Sequence, residues 1–151
     1  MGSQHLKAIS ISKRVKLHSI IDVKESSRFF AKKFKVPFYK NPKEILKTNK
    51  PDGVIIATPN QFHEKHAVDF LNSGIPVLLE KPISDKIEKA KKIVNSSKKN
   101  KVHLLIGYHR RHNSIVTSVK KMIQSGKLGK IVSVSIMCWL YKNKDWYKEK
   151  W

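Results

Sequence analysis

The sharpest chemistry lies in Glu80-Lys81-Pro82, which follows the apolar run Pro76-Val77-Leu78-Leu79. A lysine at a strand end, flanked by an acid and by a proline that fixes the backbone, can orient a substrate hydroxyl or polarise a developing carbonyl. The bland alternative is a surface ion pair, which contributes little to stability. A second group, Thr58-Pro59-Asn60 with His63 three residues on, places hydroxyl and amide groups on a rigid turn after another apolar run. Such a turn can meet a ligand or cap the next helix, and the two roles are compatible. Asp22 ends a third run, and Tyr108-His109-Arg110-Arg111 follow a fourth.

These residues can act together only if the elements before them run side by side. The segments 16–22, 52–59, 76–79 and 102–107 are short and apolar, which suits buried parallel strands. Helical stretches lie between them. Asn41-Pro42-Lys43-Glu44 supplies an N-cap, a proline at the first helical position and a capping-box glutamate. Phe62, His66, Ala67, Phe70 and Leu71 share one face of a helix closed by Gly74, and Ile87, Ala90, Ile93 and Val94 share another after Ser84 as N-cap.

Strand and helix therefore alternate. That order predicts a doubly wound α/β fold with a parallel sheet, right-handed crossovers and ligands bound beyond the carboxyl ends of the strands. In such a fold an acid at the tip of the second strand bonds the ribose hydroxyls of NAD, a role open to Asp22; capping the helix that follows is the other role open to it. After residue 112 the pattern changes. Ile115, Val116, Val119, Met122 and Ile123 form a helical stripe stopped by Gly126, and 131–141 alternates as a long half-buried antiparallel strand should. Two domains are expected, 1–112 and the start of a second α/β domain over 113–151, ending in an aromatic and charged tail over 142–151.

Composition narrows the functional classes. The formal charge is +21, yet the only arginines are Arg14, Arg28, Arg110 and Arg111, and the lysines run along the whole chain. That distribution favours a solvated lysine surface over a nucleic-acid face, which leans on clustered arginine. Cys138 is the only cysteine, so no intramolecular disulfide forms, and a reducing cytoplasm is the expected setting. No apolar run reaches the ~20 residues of a membrane helix. His63, Glu64 and His66 lack the H-E-x-x-H spacing of a metal site.

Taken together, the strand-end groups resemble the Gfo/Idh/MocA family of oxidoreductases. The matching segments are Pro51-Asp52-Gly53-Val54-Ile55-Ile56-Ala57-Thr58-Pro59-Asn60 with His63, Pro76-Val77-Leu78-Leu79-Glu80-Lys81-Pro82, Gly107-Tyr108-His109-Arg110-Arg111-His112 and Ser125-Gly126-Lys127-Leu128-Gly129-Lys130. Gln4-His5-Leu6-Lys7-Ala8-Ile9 is similar to the family's first helix. The resemblance implies a Rossmann domain for NAD or NADP and oxidation or reduction of a sugar or polyol hydroxyl. It assigns Asp22 to the adenosine ribose and Thr58, Pro59, Asn60 and His63 to the cofactor. Glu80 and Lys81 approach the nicotinamide ribose and substrate, Arg111 lies near the reacting end, and Lys81 is the catalytic candidate. Asp22 favours NAD, and Lys24 could hold a 2′-phosphate.

The resemblance also carries departures. The family's first strand and its G-x-G-x-x-G phosphate loop precede the first helix, where this sequence has Met1-Gly2-Ser3, and the family's proton-transferring histidine follows the segment that ends here at Trp151. The expectation is therefore a Rossmann-like sheet lacking its first strand, with 16–22 and 52–59 deprived of a shared neighbour, weak dinucleotide binding, and turnover only with a complementing chain. A non-catalytic remnant or split-enzyme subunit is the second reading, with a homo-oligomer as one possible assembly. A basic nucleic-acid binder is the third.

Overall fold

Residues 1–48 and 50–148 are described by a computed structural model, which divides into two units, Met1–Gly107 and Tyr108–Trp151. In the first unit, α1 (Gly2–Ile11) is followed by β1 (Ile20–Ile21), α2 (Arg28–Phe34), β2 (Phe38–Tyr39), α3 (Pro42–Lys47) and β3 (Val54–Ile56). Then come α4 (His63–Asn72), β4 (Val77–Leu79), α5 (Ile87–Asn100) and β5 (Leu104–Ile106). Every ladder is parallel: β1 pairs with β2, and β3, β4 and β5 pair in that order, with Ile56 opposite Leu79 and Leu79 opposite Ile106. The α/β class with a parallel sheet and helical crossovers holds. Among the described residues β1 and β3 share no ladder, so the strands fall into a pair and a triplet.

The core forms where the triplet meets its helices. Ile56, Val77 and Leu79 from the strands pack with Ala67, Phe70 and Leu71 of α4, Ile93 of α5, and Ile45 and Ile75, while Ile21 and Tyr39 of the two-stranded sheet lean against the same cluster. Phe70 and Leu71 are 2% and 0% exposed, and burial of a side chain of that size contributes about 1.5–3 kcal/mol. The cap of α3 forms as its sequence dictates: Lys43 N–H donates to Asn41 Oδ1 at 2.9 Å and Asn41 N–H to Glu44 Oε1 at 3.0 Å. Gly74 closes α4 at φ +78°, a conformation that a side chain would strain.

Several expectations need correction. The strand over 16–22 contracts to Ile20–Ile21, with Asp22 N–H still donating to Tyr39 O at 3.1 Å, because its ladder partner is the two-residue β2, which its short length hid along with α2. The inner face of α4 is His63, Ala67, Phe70 and Leu71; Phe62 lies before the helix and is exposed, and His66 is half-buried. Ser84 is not the cap of α5. The N-cap is Lys86 without a side-chain bond, Ser84 Oγ donates to Asp85, and the buried face centres on Ile93 and Ser96 while Ile87 is 70% exposed.

In the second unit α6 (Ser114–Gln124) forms with Asn113 as its cap, its Oδ1 accepting from Ile115 N–H at 2.9 Å. The strand expected over 131–141 does not form, and Val132, Ile136 and Trp139 are 89%, 85% and 88% exposed. A strand needs a ladder partner for its backbone groups, and the described residues of this unit offer none. The last part of the expected tail, 149–151, lies outside the described residues.

Candidate functional site

The end of β4 is built around a buried carboxylate. Glu80 N–H continues the sheet by donating to Ile56 O at 2.9 Å, and the residue is 5% exposed. Its Oε1 lies 2.7 Å from His5 Nε2 of α1, and its Oε2 accepts the Lys81 N–H at 3.2 Å. Gly107, at the end of β5, leaves room for this carboxylate: a Cβ there would stand 3.1 Å from Glu80 Cδ and 3.2 Å from both oxygens. Glu80 thus anchors the backbone of its neighbour and leaves the Lys81 side chain exposed at the carboxyl edge. The Lys81–Pro82 peptide is cis.

The neighbouring turn is tied to this one by a histidine. His63 is 0% exposed, and its ring lies between two backbone carbonyls, with Nδ1 2.9 Å from Pro82 O and Nε2 2.9 Å from Thr58 O. Thr58 and Pro59 are exposed, and Asn60 begins a single 3-10 turn that leads into α4. Neither that turn nor α4 receives a side-chain cap, so the capping role considered for Thr58-Pro59-Asn60 is not the one they fill. Thr58 and Pro59 face solvent at the strand end, while the Thr58 carbonyl faces the His63 ring and the Pro59 carbonyl accepts from Phe62 N–H.

Asp22 is half-buried at the end of β1. Its Oδ1 accepts from Lys24 N–H at 2.9 Å and its Oδ2 from Ser27 Oγ–H at 2.7 Å, so it ties the turn that leads into α2 without capping that helix, whose N-cap is Ser27 with no side-chain cap bond. Arg111 is exposed on the 3-10 turn His109–His112 of the second unit. His66, one turn into α4, has a buried Nδ1 with no partner among the described residues, and burial, then Lys65, holds its ring below the usual imidazole range.

The structure therefore gathers Thr58, Pro59, His63, Glu80, Lys81 and Pro82 at the adjacent ends of β3 and β4. It leaves Asp22 on the other sheet. The residue that sequence reasoning missed is His5. It stands 75 positions from Glu80, and only the packing of α1 brings them together.

A parallel α/β layer whose polar residues collect at the carboxyl ends of its strands is the architecture of dinucleotide-binding proteins. The chain belongs to the Gfo/Idh/MocA oxidoreductase family, whose model, described as an oxidoreductase family with an NAD-binding Rossmann fold, matches residues 1–108. It is 32% identical to the rhizopine catabolism protein MocA of Rhizobium meliloti over 92% of this chain and 44% of that protein. With the glucose-6-phosphate 3-dehydrogenase of Bacillus subtilis it shares 29% identity over 87% of this chain and 37% of the relative. Among solved structures it is similar to scyllo-inositol dehydrogenase from Lactobacillus casei with bound NAD(H) and scyllo-inositol. That likeness has a TM-score of 0.80 at 25% identity, over 85% of this chain and 39% of the other. The chain thus spans less than half the length of these relatives. No helix among its described residues is long and apolar enough to cross a membrane.

Proposed function

We propose that this chain is the nucleotide-binding portion of an NAD(P)-dependent oxidoreductase acting on a sugar or polyol hydroxyl. The observation that carries the reading is the end of β4, where a buried carboxylate fixes the backbone and an exposed lysine stands beside the open Thr58-Pro59 turn. Family membership and the likeness to a glucose-6-phosphate 3-dehydrogenase and a scyllo-inositol dehydrogenase support the substrate class.

The donor set suits a nicotinamide dinucleotide. Thr58, Pro59 and Asn60 would line the cofactor with hydroxyl, amide and apolar surface, and Asp22 would accept from the adenosine ribose hydroxyls. Lys24 beside it leaves room for a 2′-phosphate, so NAD and NADP both remain candidates. When bound, the nicotinamide exchanges a hydride with the substrate carbon. Lys81 Nζ would donate a hydrogen bond to the reacting oxygen, orienting the hydroxyl and polarising it as it becomes a carbonyl, while the hydroxyl proton passes to a separate base. Glu80 serves that lysine by accepting the lysine's backbone N–H.

Titration of the chain with NADH and NADPH, read by nicotinamide fluorescence, tests the binding half. No saturable signal with either dinucleotide at millimolar concentration would overturn it. The catalytic half is read by assaying reduction of NAD or NADP with inositols and sugar phosphates, with the chain alone and mixed with candidate complementing polypeptides. Where turnover is found, Lys81→Met is expected to lower kcat by about 10²–10³-fold, the usual worth of a hydrogen-bond donor aimed at the reacting oxygen. A kcat unchanged in that variant would remove Lys81 from the chemistry.

A further inference from the structure

His63 is the most deeply buried polar residue among the described residues, and nothing about capping α4 explains its orientation: both ring nitrogens face backbone carbonyls, on turns that leave two different strands. A side chain needed only to fill the core would be apolar at this position, since burying a polar ring costs free energy unless its hydrogen bonds are made. Each of the two bonds reaches beyond its own helix. One closes the Thr58 carbonyl onto the start of α4, and the other spans 19 residues to the Pro82 carbonyl.

We infer that His63 is a positioning residue that clasps the Thr58-Pro59 turn to the Lys81-Pro82 turn and so sets where the Lys81 amine stands. The inference rests on Lys81 being the reacting lysine of the proposed function, but its geometry does not. Lys81 lies between two fixed points. On its amino side Glu80 accepts its N–H, with that carboxylate held by His5 and closed in by Gly107. On its carboxyl side the Pro82 carbonyl is held by His63. With both flanking backbone groups held, an exposed four-carbon side chain starts from a defined Cα, and less ordering is left to be done when a substrate oxygen arrives. The ring's contacts with both carbonyls, one of them receiving the N–H of whichever tautomer is present, also couple the turns, so a ligand that orders one will order the other.

Two variants test this in the chain as it stands, without cofactor. His63→Phe keeps the buried volume and removes both bonds, while His63→Gln retains an amide able to reach one carbonyl. The readouts are backbone amide exchange and competitive acylation of the lysine amines, both resolved by residue. In His63→Phe, amides over 58–62 and 81–84 are expected to exchange about tenfold or more faster, while the amides of β4 and β5 stay near their original rates. Lys81 is expected to change its acylation rate relative to Lys86 and Lys92, an effect that loss of packing alone would spread over all three. His63→Gln should loosen one turn more than the other. A folded His63→Phe chain with unchanged exchange in both turns and unchanged Lys81 labelling would overturn the inference. Should His63→Phe fail to fold, an unchanged pattern in His63→Gln would do the same. Because none of these readouts uses NAD(P) or a polyol, a failure of the proposed activity leaves them intact. If activity is present, both variants should lower kcat more than they raise KM.

Discussion

At the scale of single residues, the carboxyl edge of β4 is defined by what holds Lys81 rather than by what touches its amine. Gly107 offers a direct probe. Alanine there would press on a carboxylate that is already bonded to His5 and to the Lys81 N–H and cannot swing away. Gly107→Ala is expected to cost about 1–3 kcal/mol of stability, the range of an overpacked core, measured by urea unfolding with an unchanged m-value. His66 provides a second test. Its ring is held below the usual imidazole range, so the unfolded chain takes up a proton near pH ~6.5 before the folded chain does, and stability is present above that pH and lost as the pH falls. Replacing it as His66→Leu should shrink the fall in Tm between about pH 7.5 and about pH 5. An identical fall in both proteins would show that other groups govern acid sensitivity.

At the scale of elements, local chemistry and tertiary packing divided the work unevenly. The helix α3 carries its own instructions: Asn41, Pro42 and Glu44 form the reciprocal cap that their order requires. Asn41→Ala should therefore destabilise the fold by about 1 kcal/mol in thermal or urea unfolding, and Asn41→Ser by much less. The neighbouring α2 carries almost none. It has no side-chain cap, and its junction is tied instead by Glu25, whose carboxylate is hydrogen-bonded to Arg28 and Lys40 and lowered to about 2. Helices α4 and α5 were legible as helices from their apolar spacing, but their inner faces were not. A stripe fixed by periodicity alone can rotate by one position, and here the buried polar anchors His63 and Ser96 decided the rotation. The segment 131–141 marks the limit of alternation as a signal. Its pattern fits a strand, but strand hydrogen bonds belong to pairs, and the described residues of its unit supply no partner.

At the scale of the whole molecule, charge and exposed apolar surface set the solution behaviour. The net charge of +21 lies mostly on lysines spread along the chain, and the chain will bind polyanions through it. DNA retardation is expected at low salt and should vanish near ~0.2 M salt, the signature of counterion release without base readout. Retardation that persisted at high salt would favour a nucleic-acid role instead. The second unit exposes Val132, Val134, Ile136, Met137 and Trp139 together with the stripe of α6, far more apolar surface than an isolated soluble unit ordinarily carries.

The sequence by itself determined the alternation of strands and helices, the cap of α3, the turn at Gly74 and the strand-end groups around Thr58 and Lys81. These depend on spacing within a few residues, where side-chain chemistry acts directly on its own backbone. Tertiary structure alone decided that His5 meets Glu80 across 75 positions, that Gly107 makes room for that carboxylate, and that His63 faces Pro82 as well as Thr58. Contacts of this kind join segments far apart in the chain, and no local pattern encodes them. They exist because parallel strands place their carboxyl ends on one edge, where the residues that leave the sheet must share the same space.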